Sequence, residues 1–166
     1  MFEVTGKTIV YLPNWIGDMV MAVPFLKSLR TSVYGELWAI GKSSAIHIYN
    51  GLYLFDRFVS LDRKDLVSFL DTVTLLKRSK FKRGILLPHS FRSALIFYLA
   101  GVRERIGYAR NKRGFMLTRH VSEGHSLEAT TEHYTRIIDA IGGRRAKINA
   151  PLLAVTQDEE QRYYEK

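Results

Sequence analysis

Cysteine is missing from the 166-residue sequence, which excludes disulfides, thiolate metal sites and a thiol nucleophile. Long apolar runs are missing too, because stretches such as residues 94–100 are far shorter than the roughly 20 residues that a membrane helix needs. The N-terminus has neither the basic region nor the apolar core of a signal peptide. These absences predict a cytoplasmic protein, and its 46% hydrophobic content is enough for the core of one ordinary domain.

Acidic residues are nearly absent between positions 77 and 119, where Glu104 is the only one among twelve Lys and Arg residues of a chain with net charge +9. Such a basic stretch indicates an anionic partner, which would be nucleic acid, a phosphorylated small molecule or an anionic membrane face. A solvated basic surface explains the same charge equally well. Charge alone therefore leaves both interpretations open.

Runs typical of β-strands alternate along the chain with apolar residues at helical spacing. We predict strands at 7–12, 36–40, 58–61, 83–87 and 105–108, and helices at 16–29, 43–49, 66–76, 91–99 and 127–141. Pro24 is expected to kink or restart the first helix, and residues 109–124 are expected to form a loop. The alternation predicts an α/β fold, a Rossmann-like parallel sheet with helices on both faces.

The C-terminal residues continue this pattern with an apolar extended segment at 151–155 and a polar, acidic helix at 156–166. We expect one domain over residues 1–155. The helix at 156–166 is either a natural C-terminal helix or the start of a linker.

Glycine is sparse in the first loop, Leu12-Pro13-Asn14-Trp15-Ile16-Gly17-Asp18, so this loop is not a dinucleotide fingerprint. Asp18 follows a strand and begins a helix. It either complements the partial positive charge of the helix N-terminus or acts as a general base in a crevice at the end of the strand. Trp15 either stacks on a sugar or plugs the top of the sheet, and the plug is the favoured interpretation.

A second loop, Pro88-His89-Ser90-Phe91-Arg92-Ser93, has the same design of strand end, proline, polar residues and helix start. Ser90 and Arg92 would form an anion site there, although Ser90 alone is better explained as a helix cap. His89 is not expected to bind metal, because no partner lies at ligand spacing.

A third loop carries Arg110, Lys112 and Arg113, which suit phosphate or carboxylate recognition and equally suit a solvated basic loop. The remaining histidines of this region are scattered, and we interpret them as non-catalytic: His120, His125 and His133.

Three blocks of the sequence together resemble bacterial lipopolysaccharide heptosyltransferases, most closely the heptosyltransferase II group of glycosyltransferase family 9. The first block is residues 12–22, LPNWIGDMVMA. The second is residues 87–103, from LPHSFRSAL to LAGVR, and the third is 105–118, with RIGYAR, RG and LT. His89 departs from the pattern, since Asn is expected there more often.

The resemblance implies the acceptor-binding N-terminal domain of a GT-B glycosyltransferase over residues 1–155, with 156–166 beginning the interdomain linker. The resemblance also implies that a C-terminal half, which would bind the ADP-heptose donor, is absent from this sequence. The resemblance implies inverting transfer of heptose to heptosyl-Kdo-lipid A, with Asp18 as the catalytic base. The acceptor-binding residues that it implies are Asn14, Trp15, Gly17, Ser90, Arg92, Arg110, Lys112 and Arg113.

We expect no metal and no cofactor in this chain, no nucleic acid partner, and peripheral contact with the anionic face of the inner membrane. The chain on its own is expected to be inactive, because the donor site is incomplete. The alternative is a stand-alone basic α/β module that binds nucleic acid or phosphosugars without catalysis.

Overall fold

The computed structural model describes residues 4–124, 129–145 and 153. The strands are β1 (Val4–Thr5), β2 (Thr8–Tyr11), β3 (Val33–Tyr34), β4 (Leu37–Gly41), β5 (Arg57–Ser60), β6 (Arg83–Leu86), β7 (Glu104–Gly107) and β8 (Arg119–His120). The helices are α1 (Ile16–Ser32), α2 (Ser44–Tyr49), α3 (Leu66–Ser79), α4 (Phe91–Leu99) and α5 (Thr130–Ala140), with a 3-10 turn at Gly114–Met116. No described helix is both long and apolar enough to cross a bilayer.

Six strands form one parallel sheet in the order β5-β4-β2-β6-β7-β8, and β1 and β3 pair separately. The chain runs outward from β2 to β4 and β5, then returns to β6 on the other side of β2. The point where the strand order reverses therefore lies between β2 and β6. In open α/β sheets, ligands bind beyond the carboxyl ends of the strands at such a reversal.

Alternate residues of the central strands point to opposite faces, and each face carries its own apolar core. Val10 and Leu12 pack in the core that α1, α2 and α5 cover. Ile9 and Tyr11 pack in the core under α3 and α4. The predicted Rossmann-like parallel sheet with helices on both faces is confirmed.

The local predictions fail at a few places. Pro24 lies inside α1, which continues as one helix to Ser32, so the restart is wrong, whereas the kink stays a prediction. The predicted loop at 109–124 contains the 3-10 turn and β8, which extends the sheet edge. The last helix begins at Thr130 rather than 127, after an extended Ala129. The predictions for His125, for the extended segment at 151–155 and for the helix at 156–166 fall outside the described residues, apart from the single residue 153.

Candidate functional site

A cavity of about 580 Å³ lies at the carboxyl edge of the sheet. The loops after the adjacent strands β2, β6 and β7 form three sides of it, and the start of α5 forms the fourth. Because parallel strands end at the same edge, loops far apart in sequence meet there. The lining residues are Pro13, Asn14, Trp15, Asp18, Leu87, Pro88, His89, Ser90, Arg110, Asn111, Glu123, Gly124, Thr130, His133 and Tyr134.

The cavity brings together five of the nine residues that the sequence nominated: Asn14, Trp15, Asp18, Ser90 and Arg110. The other four do not line it: Gly17, Arg92, Lys112 and Arg113. The nominated residues therefore form two groups. One group lines the cavity, and the other stabilises the surrounding loops or lies beside them.

Asp18 lies in the first turn of α1, half-buried, and lines the cavity. The N-cap residue of α1 is Trp15, and its side chain caps no backbone amide. The amides of this helix end are thus not occupied by a side-chain cap, unlike those of α3 and α4, which Asp65 and Ser90 cap. Trp15 is 77% exposed, so the prediction that it plugs the sheet is wrong; its indole lies at the cavity wall.

Tyr134, from α5, lines the same cavity as Asp18. Its pKa is raised, mainly by burial and further by the negative charge of Asp18. This pairing follows from the packing of α5 against α1. Sequence reasoning missed Tyr134, because nothing in the pattern of α5 indicates which helix it packs beside.

Two histidines, His89 and His133, line the cavity as a pair. The Nε2 atoms of His89 and His133 lie 3.1 Å apart, and the His133 ring stacks on Tyr108 at 3.9 Å. Burial, together with the charges of His133 and Arg113, lowers the pKa of His89 to about 4. The sequence offered His89 no partner at ligand spacing, but in the fold His133 reaches it from α5. Among the described residues, no group of three or more His, Asp or Glu side chains could hold a metal ion.

Arg110 holds its guanidinium against Glu123 in a two-pronged ion pair, with Nε donating to Oε1 at 2.8 Å. The hydrogen bonds that Arg110 donates to Glu123 raise the pKa of Arg110 and lower the pKa of the Glu123 carboxyl. Asp18, Glu123 and Arg110 are the acidic and basic lining residues other than the histidines. Among the described residues, Arg110 is therefore the one Lys or Arg side chain that lines the cavity.

Arg113 is fully buried, which corrects the expectation that it meets an acceptor. Its guanidinium donates to the carbonyls of Tyr108 (3.0 Å), Pro88 and Ser90 (3.4 Å). Burial lowers its pKa to about 10. The side chain ties the second and third loops together beneath the cavity, so its role is to position them.

Three other nominated side chains serve local structure or face away. Ser90 caps α4 by accepting from the Ser93 amide at 3.2 Å, as its helix-cap interpretation predicted, while still lining the cavity. Arg92 turns toward α3, where it donates to the Lys64 carbonyl at 2.9 Å and lies over the Phe69 ring. Lys112 is exposed in a left-handed conformation (φ 57°) outside the cavity.

The basic stretch does not gather around the cavity. Four of its cations surround a groove at the amino edge of the sheet, the end opposite the cavity: Lys77, Lys80, Lys82 and Arg103. Arg83 is paired with Glu104. These cations are close to Arg110 along the chain, but they lie at the opposite edge of the sheet.

Several solved structures share the fold of this chain. The family 9 glycosyl transferase from Veillonella parvula DSM 2008 superposes with a TM-score of 0.80 at 12% identity, over 99% of this chain and 50% of that one. The E. coli ADP-heptose lps heptosyltransferase II superposes with a TM-score of 0.74 at 18% identity, and the match covers 96% of this chain and 50% of that one. The structure of E. coli heptosyltransferase WaaC with ADP-2-deoxy-2-fluoro heptose superposes with a TM-score of 0.68 at 12% identity, and the match covers 88% of this chain and 51% of that one.

The chain has the fold of glycosyltransferase family 9. It corresponds to one Rossmann-like half of that GT-B architecture, because it spans about half the length of each of these proteins. No protein-family model and no curated protein sequence matches it. The structural similarity therefore establishes the fold, whereas the reaction has to be inferred from the residues that line the cavity.

His89 makes stability depend on pH. The ordinary pKa of histidine is 6.5 and the folded value of His89 is about 4, so between these values the unfolded chain binds more protons. The free energy of unfolding is therefore expected to fall as the pH drops from 6.5 to 4. Urea unfolding at several pH values should show that His89→Gln loses less of its free energy of unfolding across this range than the wild type does. An equal loss in both proteins would contradict the lowered pKa of His89 in the folded chain.

Proposed function

We propose that this chain is the acceptor-binding half of an inverting heptosyltransferase that moves heptose from ADP-heptose to heptosyl-Kdo-lipid A. The observation that carries the proposal is Asp18 in the first turn of α1, lining the cavity at the reversal between β2 and β6. The fold shared with the E. coli ADP-heptose lps heptosyltransferase II supports the class of reaction. The donor would be held by a second half, outside this chain.

Asp18 would serve as the general base. Its carboxylate takes the proton from the acceptor hydroxyl while that oxygen bonds to the anomeric carbon of the heptose. The bond from the anomeric carbon to the diphosphate oxygen breaks, and ADP leaves with the electron pair. An ionised carboxylate is a weak base, and it acts late, when bond formation has made the hydroxyl acidic.

The acceptor would lie along the cavity wall that Asn14, Trp15 and Ser90 form with Asp18. An exposed indole is a flat apolar surface on which a sugar ring can stack. Arg110 already holds a carboxylate, that of Glu123, in two-pronged geometry. A Kdo carboxylate has the same shape and charge, so it could replace Glu123 on the guanidinium.

The lipid part of this acceptor implies that the reaction takes place at a membrane surface. The protein would then be a peripheral one, located on the cytoplasmic face of the inner membrane, where an anionic lipid surface attracts basic residues.

Acceptor binding can be measured on this chain alone by calorimetry. We expect saturable binding of heptosyl-Kdo-lipid A in detergent micelles and none of ADP-heptose. Arg110→Gln should weaken acceptor binding by about 10-fold, as loss of a charge-assisted pair does. Lys112→Gln is the matched control and should bind as the wild type does, because Lys112 lies outside the cavity.

Two outcomes would contradict the proposal. The first is tight binding of ADP-heptose without binding of the acceptor. The second is salt-sensitive binding of arbitrary oligonucleotides in place of the sugar, which would favour the nucleic-acid module instead.

A further inference from the structure

Three tyrosines lie in the described part of the core that α1, α2 and α5 cover, and each is at most 6% exposed: Tyr49, Tyr108 and Tyr134. Burial removes a tyrosine hydroxyl from water, so a buried tyrosine normally has a hydrogen-bond partner within the protein. Tyr49 donates to the Met19 carbonyl at 2.9 Å, and Tyr108 donates to the His133 carbonyl at 2.6 Å. These two hydroxyls therefore stabilise the fold.

The hydroxyl of Tyr134 differs from those two. The residue is buried and lines the cavity, and its oxygen keeps access to solvent. Within residues 4–124, 129–145 and 153, this oxygen has no hydrogen-bond partner. An unpaired hydroxyl on a buried ring costs stability, and phenylalanine would fill the same space without that cost. The position therefore carries a polar atom that the described part of the fold does not use.

Helix α5 presents Tyr134 to the cavity together with its neighbours on the same face. Thr130, His133 and Tyr134 are three and four positions apart, which places them on one side of a helix, and all three line the cavity. α5 packs along α1, whose first turn carries Asp18. Burial and then the charge of Asp18 raise the pKa of Tyr134. The phenol therefore stays protonated at neutral pH and can donate a hydrogen bond into the cavity.

We propose that the Tyr134 hydroxyl donates a hydrogen bond to a heptose hydroxyl of the acceptor, beside the hydroxyl that Asp18 deprotonates. The carboxylate of Asp18 accepts from one sugar hydroxyl, while the neutral phenol donates to another. This pair suits an uncharged polyol, whereas a phosphate at the same place would be repelled by Asp18. Tyr134 is thus a specificity-determining residue that orients the sugar. The inference rests on the proposed function for the identity of the acceptor, and it extends that function by naming a contact within the cavity.

Tyr134→Phe tests the contact, because it removes one oxygen atom and keeps the ring. Calorimetric titration of the chain with heptosyl-Kdo-lipid A in detergent micelles should give about 5-fold weaker binding than for the wild type, the loss of a hydrogen bond between uncharged groups. Tyr49→Phe is the matched control. Tyr49 is as buried as Tyr134 but does not line the cavity, so this variant should bind the acceptor as the wild type does.

Urea unfolding of the same two variants separates a hydroxyl kept for a ligand from one that stabilises the fold. Tyr134→Phe should keep or raise the midpoint of unfolding, because no described residue loses a partner. Tyr49→Phe should lower the midpoint, because the Met19 carbonyl loses its donor. Weaker acceptor binding without a loss of stability is a result that a merely structural role of Tyr134 would not produce.

A series of acceptors, each lacking one hydroxyl of the heptose, identifies the oxygen that Tyr134 contacts. The wild type should bind one of them about 5-fold less tightly than the complete acceptor. Tyr134→Phe should bind that analogue and the complete acceptor equally, because the hydrogen bond is already lost. With the other analogues, the difference of about 5-fold between the two proteins should persist.

Three outcomes would overturn this contact. They are equal affinity of the wild type and Tyr134→Phe for the complete acceptor, a lower urea midpoint for Tyr134→Phe, and a difference between the two proteins that persists with every analogue. In a protein joined to a donor-binding half, a fall in kcat for Tyr134→Phe with unchanged KM would overturn it too and would assign the hydroxyl to the Asp18 carboxylate.

Failure of the proposed function gives a different result. In that case the wild type itself would bind no heptosyl-Kdo-lipid A, and both the function and the contact would be wrong. If the wild type binds the acceptor and Tyr134→Phe binds it equally well, the contact alone is wrong.

Discussion

Asp18→Asn is expected to lower the turnover of heptose transfer by about 1,000-fold in a protein that joins this chain to a donor-binding half. The amide has nearly the same shape as the carboxylate, so the first turn of α1 and the wall of the cavity should persist. The amide cannot take a proton from the acceptor hydroxyl, however. Initial rates with saturating ADP-heptose and heptosyl-Kdo-lipid A measure the effect, and the loss should appear in kcat and not in the affinity for the acceptor.

Asp71→Asn is the matched control, because Asp71 is an exposed acid on α3, outside the cavity. It should transfer heptose at the wild-type rate. A near wild-type rate for Asp18→Asn would remove Asp18 from the mechanism. A large rise in KM with unchanged kcat would reassign Asp18 to binding.

Arg113→Ala is expected to lower the free energy of unfolding by about 3 kcal/mol. The substitution removes the donor of the buried Tyr108 carbonyl and of the part-buried Pro88 and Ser90 carbonyls, and it opens a void under the second and third loops. Burial of the guanidinium is itself costly, as its lowered pKa shows, but the loss is expected because the Tyr108 carbonyl would remain buried without its donor. Urea unfolding followed by circular dichroism measures the change.

Lys112→Ala tests whether the effect comes from the hydrogen bonds of Arg113 or from any substitution in the third loop. Lys112 is adjacent to Arg113 but exposed, so its removal should change the free energy of unfolding by less than about 0.5 kcal/mol. Equal stabilities for the Arg113→Ala variant and the wild type would contradict the positioning role. They would also return Arg113 to the set of candidate acceptor residues.

The sequence predicted most of the fold, because its signals are local. The helix predicted at 91–99 matches α4, with Ser90 as its cap and Gly101 in the left-handed conformation (φ 68°) after it. The strand that precedes the first loop is also present, as β2. β8 was missed because two residues carry no periodicity, and their pairing with β7 depends on the tertiary structure.

The candidate site was only half predictable. Asp18 and Ser90 could be nominated because each follows a strand, and a parallel sheet brings such ends together. Tyr134 and His133 could not, because they reach the cavity only through the packing of α5 on α1. Glu123 was missed for a similar reason, since its partner Arg110 is thirteen positions away in an irregular segment.

The basic stretch illustrates the limit of composition. Twelve cations lie close together along the chain, but strands and helices carry the chain from one edge of the sheet to the other. Lys77 and Arg103 consequently lie at the amino edge, while Arg110 lies at the carboxyl edge. Charge density along a sequence therefore does not predict charge density around a site.

The most direct test of the central claim is to map acceptor binding on this chain by amide chemical shifts during the titration with heptosyl-Kdo-lipid A. We predict that the largest shifts occur around the cavity, at Asn14, Asp18, Ser90 and Tyr134. The amides of Lys77, Lys80 and Arg103 at the opposite edge should remain unchanged. Shifts confined to the amino edge, or none at the cavity under saturating acceptor, would contradict the claim that this cavity is the acceptor site.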